Sequence, residues 1–406
     1  MNDCAEMRTC KSTMSKILFV GHEATRTGAP IVLLNLLRWL RANASIEFRL
    51  LLRAGGELES EFAKLSKVSV LNSEAAINDN IIVKGLRHYG LRRSNSDKYL
   101  ARLKRELISE GVNLIYLNTA CNGDIVAPLA EIGCPVITHV HELEYSLRCG
   151  IPRELVRLMI EKTSHYIAVS ESVRKNLIEN HSIPKDKVDL VYGFIPEQTA
   201  NTERKTAVRA MVRQELGVQD DDFIVGACGT PSWRKGADLF VQLASVMSRR
   251  QFDRPVWFVW LGGPLKGETY HQLCYDIKLL GLENSVKLIG PREDAVKYIG
   301  AFDVFVMTSR EDPFPLVCLE AASMEVPIVY FDKAGGVCEL VGADGGFMVP
   351  YLDLLSMADK VSTLLNSETL RLRYGRRAAQ KSRQLYDVNV GAPRIFEIIQ
   401  RFTRTQ

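Results

Sequence analysis

Residues 309–329 read SREDPFPLVCLEAASMEVPIV and follow directly on the apolar run FDVFVMT at 302–308. A strand-like run, an acidic turn between two prolines, a helix-like stretch and a second β-branched run form one β-turn-α-β unit. Pro315 suits the first helical position, where a missing N–H costs nothing, and Pro313 stiffens the approach. The free N–H groups of Leu316 and Val317, with the positive end of the helix dipole, then make a site for an anion such as a diphosphate. Glu320 lies about one turn deeper, placed for a sugar hydroxyl rather than a phosphate, which would repel it. Asp312 is placed to accept hydrogen bonds from hydroxyls on the group at the far end of the diphosphate. The plainer alternative makes Asp312 a helix cap and Glu320 a solvated helix residue.

The same alternation runs outward in both directions. Towards the N-terminus come KILFVG then APIVLLNLLRWLRA, FRLLLR then LESEFAKL, VNLIYLN then GDIVAPLAEIG, PVITHVH, and HYIAVS then ESVRKNLIEN. After the aperiodic run GFIPEQTANTER at 193–204, a second series begins: FIVGACGT, DLFVQLASVM, PVWFVWLGG, a helix near Tyr270–Leu280, SVKLIG, a short helix around Ala295, DVFVMTS, the quoted helix and PIVYFD. Short β-branched runs followed by amphipathic helices are parallel β-α units. The expected class is α/β, with two Rossmann-like, doubly wound parallel-sheet lobes facing across a cleft. The boundaries expected are a disordered tail at 1–15, a first Rossmann-like domain at 16–195, a second at 203–385, and a C-terminal helix at 386–406 packing back on the first domain. Open parallel sheets bind ligands beyond the carboxyl ends of their strands, so the informative loops are those leaving a strand for a helix.

A chain of 406 residues, 46% hydrophobic, is long enough for two ordinary cores. Its formal charge of +4 does not imply nucleic acid. Nine cysteines without a C-x-x-C pair argue against a zinc ribbon, a thioredoxin motif or a stapled secreted scaffold. No apolar run approaches the roughly 18 residues of a membrane span, and the first fifteen residues lack the apolar centre of a signal peptide. The expected location is the cytoplasm. The segment KGLRHYGLRRSNSDKYLARLKR, Lys84 to Arg105, carries eight Lys or Arg and one acid. It suits peripheral contact with the inner membrane face, and equally a solvated helix face.

Further strand-to-helix loops hold candidate chemistry. In ACGTPSWRKGADLFVQLA the strand ends at Gly229 and Lys235-Gly236 opens a helix, from which the ammonium reaches the same anion; Arg234 stands beside it. In FVGHEATRTGAPIVLL, Gly28 lets the backbone approach a ligand, but Gly21 and Gly28 are seven apart, which is not the G-x-G-x-x-G of a dehydrogenase. PVITHVHELEY places His139 and His141 on one strand face, and an H-x-H pair without a third ligand is a poor zinc site. Glu339, after Gly335-Gly336, is another candidate carboxylate.

Asp312-PFPLVCL-Glu320-Ala resembles the E-x7-E motif of the retaining GT-B glycosyltransferases of family 4, the glycosyl transferases group 1. Ser170, the VWFVWLGGP loop, Gly290, Asp303 and AGGVCELV with Glu339 are similar to that family in order and spacing, from Ile17 to the C-terminal helix. The resemblance implies a retaining, metal-independent transferase acting on a UDP- or GDP-sugar, with no other cofactor, in polysaccharide or glycolipid biosynthesis, and a saccharide or lipid-linked acceptor. It implies that Asp312 contacts the transferred sugar, Glu320 the ribose, Lys235 the diphosphate and His141 the sugar edge, with Gly28 near the donor phosphates. This chain departs from the pattern in four places. Thr230 stands at the family's arginine, Asp312 where Glu is usual, Pro315 where Gly is usual, and Glu325 where Gly is frequent. Arg234 is the candidate replacement for the arginine, and Glu311 an alternative to Asp312, which spacing ranks first. These departures motivate a non-catalytic binding protein as the alternative reading; an epimerase or hydrolase on the same scaffold is another.

Overall fold

The computed structural model describes residues 15–76, 95–196 and 202–403. The chain divides into two compact units: Met1–Thr138 with Arg157–Ser164 and Phe396–Gln406, and His139–Val156 with His165–Ile395.

Seven strands form the first sheet: β1 (Lys16–Gly21), β2 (Glu47–Leu52), β3 (Lys67–Val70), β4 (Leu114–Asn118), β5 (Val136–Val140), β6 (His165–Ala168) and β7 (Val188–Leu190), in the order β3-β2-β1-β4-β5-β6-β7. Its central strands, LIYLN and VITHV, are buried at every residue. Burial on both faces is why these strands read as continuous apolar runs rather than alternating ones. The six strands of the second sheet are β8 (Phe223–Cys228), β9 (Val256–Leu261), β10 (Val286–Ile289), β11 (Val304–Met307), β12 (Ile328–Phe331) and β13 (Gly346–Val349), ordered β10-β9-β8-β11-β12-β13. Both sheets are parallel and doubly wound, so the expected α/β class with two Rossmann-like lobes is the observed one.

Strand order reverses between β1 and β4 in the first sheet and between β8 and β11 in the second. At such a switch point the loops leaving the two strands diverge to opposite faces and open a crevice. The loop after β8 carries Lys235 and the turn after β11 carries Asp312, so the topology alone brings these distant stretches together. The β8-β11 pairing needs Gly226, whose missing side chain makes room for the Phe302 ring: a Cβ there would lie 2.0 Å from a ring carbon. Beneath, Phe240 packs edge-on against Phe258 and Trp260. Arg213 is fully buried on the Thr202–Leu216 helix, where its guanidinium donates to the carbonyls of Gln219, Ala301 and Asp222.

Two further contacts organise the second unit. Ile195 bridges to Asp387, with Ile195 N–H donating to Tyr386 O (3.1 Å) and Val388 N–H to Ile195 O (3.0 Å). Beside this bridge Tyr192, Phe314 and Tyr386 form a triangle of rings with centroids 5.3–5.6 Å apart. The helix Glu368–Leu385 crosses close under the turn that ends the quoted helix, and Gly375 permits it: a Cβ there would stand 1.8 Å from Glu325 O. Glu325 itself sits at φ +63°, which explains why a glycine suits that position.

Several elements escaped the sequence reading: β3, β7 and β13, and the helices Arg153–Lys162, Leu354–Leu365 and Glu368–Leu385. Pro315 also differs from expectation. It is the N-cap with extended ψ (107°), and the helix begins at Leu316 rather than at the proline. Of the basic stretch, residues 84–94 lie outside the described residues, as do 1–14 of the N-terminal tail and 197–201 of the linker. In its described part Lys104 pairs with Glu131 and Arg102 lies 3.6 Å from Glu106. Among the described residues no helix is long and apolar enough to cross a membrane.

Because Gly375 faces a backbone carbonyl, which cannot rotate away, Gly375→Ala is expected to destabilise the chain by about 1–3 kcal/mol, the usual cost of overpacking. Urea unfolding of the two proteins side by side checks this.

Candidate functional site

The loop after β8 is bent by Gly229 (φ +144°), whose carbonyl accepts from Trp260 Nε1 (2.9 Å). It ends at Gly236 (φ +67°), the N-cap of the Ala237–Met247 helix. Gly236 touches the end of β11 so closely that a Cβ would lie 1.9 Å from Thr308 O, while Thr308 Oγ1 donates to Gly236 O (2.9 Å). Lys235 is thereby pinned beside the β11 turn.

That turn is held from its other side. Asp312 N–H donates to Ala334 O (2.6 Å), Gly336 N–H donates to Asp312 O (3.2 Å), and Asp312 bridges to Gly335. Gly335 (φ +117°) is again the residue that allows it, since a Cβ would meet Asp312 O at 1.9 Å. Between the two clamps Lys235 Nζ forms an ion pair with Asp312 Oδ2. Arg234 Nη1 donates to Glu311 O (2.8 Å) and lies 4.0 Å from the same carboxylate oxygen. Two cations thus stand at one buried carboxylate.

Leu316 and Val317 open the helix Leu316–Ser323, where first-turn N–H groups lack an i−4 carbonyl. Glu320 follows one turn on. Among the described residues no donor reaches its carboxylate, and burial raises its pKa to about 7. Cys228, at the end of β8, and Cys318 are close enough to Glu320 and Lys235 to feel their charges, and burial raises both thiols. A carboxyl group that no protein donor reaches, one turn into a helix, is poised to receive hydroxyl donors from a ligand.

The other expected residues are placed differently. Glu311 does not face the lysine: its carboxylate accepts from Tyr145 N–H (2.8 Å), Ser146 N–H (3.3 Å) and Ser146 Oγ (3.3 Å). Glu339 caps a helix, accepting from Glu171 N–H (2.9 Å) and Ser172 N–H (3.3 Å) at the start of Glu171–His181, which Ser170 also caps through Val173 N–H (3.2 Å). Burial is the main cause of its raised pKa. The sequence reading took Glu339 for a ligand contact, whereas its two oxygens are occupied by backbone donors. Thr230 is exposed on the loop. Gly28 is the exposed first residue of the Gly28–Asn43 helix in the first unit. His141 is half-buried just past β5, its ring 4.2 Å from that of His139, which burial holds neutral by lowering its pKa to about 3. Among the described residues no group of three His, Cys, Asp or Glu is arranged to hold a metal ion.

Comparison with known proteins identifies a family. The model "Glycosyl transferases group 1" matches residues 208–381, the half that contains the Lys235–Asp312–Glu320 site, and "Glycosyltransferase Family 4" matches residues 26–198. The chain belongs to the GT-B glycosyltransferases of group 1. Its similarity to individual group 1 relatives is modest. It is 24% identical to the capsular polysaccharide biosynthesis glycosyltransferase CapM of Staphylococcus aureus over 52% of this chain and 54% of that protein. It is 30% identical to the N,N'-diacetylbacillosaminyl-diphospho-undecaprenol alpha-1,3-N-acetylgalactosaminyltransferase of Campylobacter jejuni over 42% of each. The alignments thus span about half the length of these curated relatives. Among solved structures, Anabaena HepE in complex with UDP superposes with a TM-score of 0.76 at 22% identity, covering 95% of this chain and 100% of HepE.

A carboxyl group with its pKa raised by burial makes the folded state bind a proton that the unfolded chain releases at lower pH. Its ionisation therefore lowers stability as pH rises from the ordinary carboxylate range through about 7. Glu320→Gln removes that ionisation, so its melting temperature relative to wild type is expected to rise between pH 5 and pH 8. Thermal melts at the two pH values check the sign.

Proposed function

We propose that the chain is a retaining glycosyltransferase that moves a sugar from a UDP- or GDP-sugar to an acceptor hydroxyl in polysaccharide or glycolipid biosynthesis. The observation that carries the reading is the ion pair of Lys235 with Asp312 at the turn that opens the Leu316–Ser323 helix, with the Glu320 carboxyl group one turn along that helix. Support comes also from the group 1 family match and from relatives named for capsular polysaccharide and undecaprenol-linked sugar transfer. The UDP bound to HepE supports a nucleotide donor.

In this reading the donor diphosphate lies against Lys235 and the N–H groups of Leu316 and Val317, with Arg234 as the second cation. The ammonium turns from Asp312 toward the phosphate, and Asp312 accepts from hydroxyls of the transferred sugar. At about 4 Å and an effective dielectric near 20, one such charge contributes roughly 4 kcal/mol before desolvation. Glu320 accepts from the ribose hydroxyls, which favours its ionised form. His141 stands at the edge of the transferred sugar. The bond between the anomeric carbon and the leaving phosphate oxygen breaks, and the acceptor oxygen bonds to that carbon on the same face. The acceptor proton passes to the departing phosphate, leaving a nucleoside diphosphate. Lys235 and the helix start supply the charge that a divalent cation would otherwise bring, so the reaction proceeds without one.

Preorganised contacts of this kind typically contribute on the order of 100- to 1000-fold to the rate. Lys235→Ala and Glu320→Ala are each expected to lower kcat/KM by that order while leaving far-UV circular dichroism unchanged. The assay is release of nucleoside diphosphate with NMR analysis of the product anomer. Wild-type turnover by both variants would refute the assignment, and an inverted anomer would refute retention.

A further inference from the structure

Beside the anion site two large aromatic side chains stay open to solvent. Trp233 is 53% and Tyr145 42% exposed, although their ring centroids lie only 4.8 Å apart. The backbone carrying each ring is held in place. Arg310 donates to Trp233 O (2.6 Å), chelates Asp238 through both terminal nitrogens (2.9 and 2.7 Å), and sets its guanidinium 4.8 Å from the Trp233 ring centre. Tyr145 is held through its backbone N–H by Glu311, the residue next to Asp312. The sequence reading absorbed neither ring.

Exposed single apolar residues need no explanation, but two exposed aromatic rings in contact with each other do. Rigid aromatic anchors bind well because little side-chain freedom is lost on contact. The partner must present a flat apolar face with polar edges, since the rings are rimmed by Arg310, Asp238 and the Tyr145 hydroxyl. A pyranose is such a group: its axial C–H bonds form an apolar face and its hydroxyls point to the edge.

We propose that Tyr145 and Trp233 form a stacking subsite for a pyranose ring of the acceptor. The assignment rests on the transferase reading above and extends it by naming a saccharide as the acceptor class. Trp233 is two residues from Lys235 and Tyr145 is tied to the residue before Asp312, so the platform adjoins the anion site. Lys235 and Asp312 are 19% and 7% exposed, so the platform lies outward of them, where a group arriving from solvent meets the protein first.

The test uses saturation-transfer NMR on the full chain with UDP present, probing with methyl α-glucopyranoside and with glucitol, its acyclic counterpart. The ring C–H protons of the glycoside should take up saturation in the wild type and lose it about tenfold in Trp233→Ala and Tyr145→Ala, with Trp233→Phe retaining most of it and glucitol showing none. UDP binding, followed separately by thermal shift, should not change. Equal saturation in wild type and variants, equal saturation of glucitol, or none in the wild type overturns the subsite. A third arm compares UDP-glucose with UDP: if Trp233→Ala weakens only UDP-glucose, the stacked ring is the donor's and the acceptor assignment falls. If the wild type binds glycoside but no nucleotide, the platform stands as a saccharide site and the transferase reading fails instead.

Discussion

Backbone contact at two glycines governs the site. Gly236 lies against the carbonyl of Thr308 and Gly335 against that of Asp312, each closer than any side chain would permit. The first contact fixes the lysine loop to the end of β11, and the second fixes the acidic turn to the loop after β12. Lys235 and Asp312 are 77 residues apart in the chain, yet their charges meet because the two clamps leave their carriers little freedom. The ion pair alone would not organise this region, because holding two flexible loops in register costs conformational entropy that one charge pair does not offset. The fold supplies the geometry, and the charges then act within it.

This arrangement separates three neighbouring acids that look interchangeable in sequence. Glu311 faces backwards onto the N–H groups of Tyr145 and Ser146, Asp312 faces the ammonium, and Glu320 faces neither cation nor backbone donor. Of the three, Glu320 alone has no protein donor on its carboxyl group among the described residues, so it has the acceptor capacity that a hydroxyl-rich ligand would use. Glu339 shows the opposite outcome. A carboxylate near a helix start was legible, but the helix it serves is Glu171–His181, more than 150 residues earlier in the chain.

How much could be read in advance follows from how each feature is encoded. Strands buried on both faces, such as LIYLN and VFVM, announce themselves as apolar runs, and the turn chemistry of Pro313, Pro315, Gly229 and Gly236 marks the loops between them. From these the α/β class, the two series of units and the candidates Lys235, Asp312 and Glu320 were accessible. Three of the four edge strands were not, whereas the fourth, VKLI, was. KVSV, VDL and GFMV are only three or four residues long and partly exposed, too brief to show a period. The direction of Arg234 and the commitment of Glu311 depend on which side a turn residue leaves the backbone, which spacing does not encode. The open rings of Tyr145 and Trp233 carried no periodic signal at all. Pro315 was assigned to the wrong side of the helix start by one residue, because a proline with extended ψ can cap as well as begin a helix.

The chain passes position 195 and, much later, position 387 in the same direction, and there the two passes are hydrogen-bonded side by side. Mechanically this is a two-ply strap rather than a single thread. A single segment twists about its own axis with little resistance, whereas paired segments resist torsion and yield only by bending across their common plane. With Phe314 packed against both Tyr192 and Tyr386, the strap is also anchored to the proline turn, two residues from Asp312.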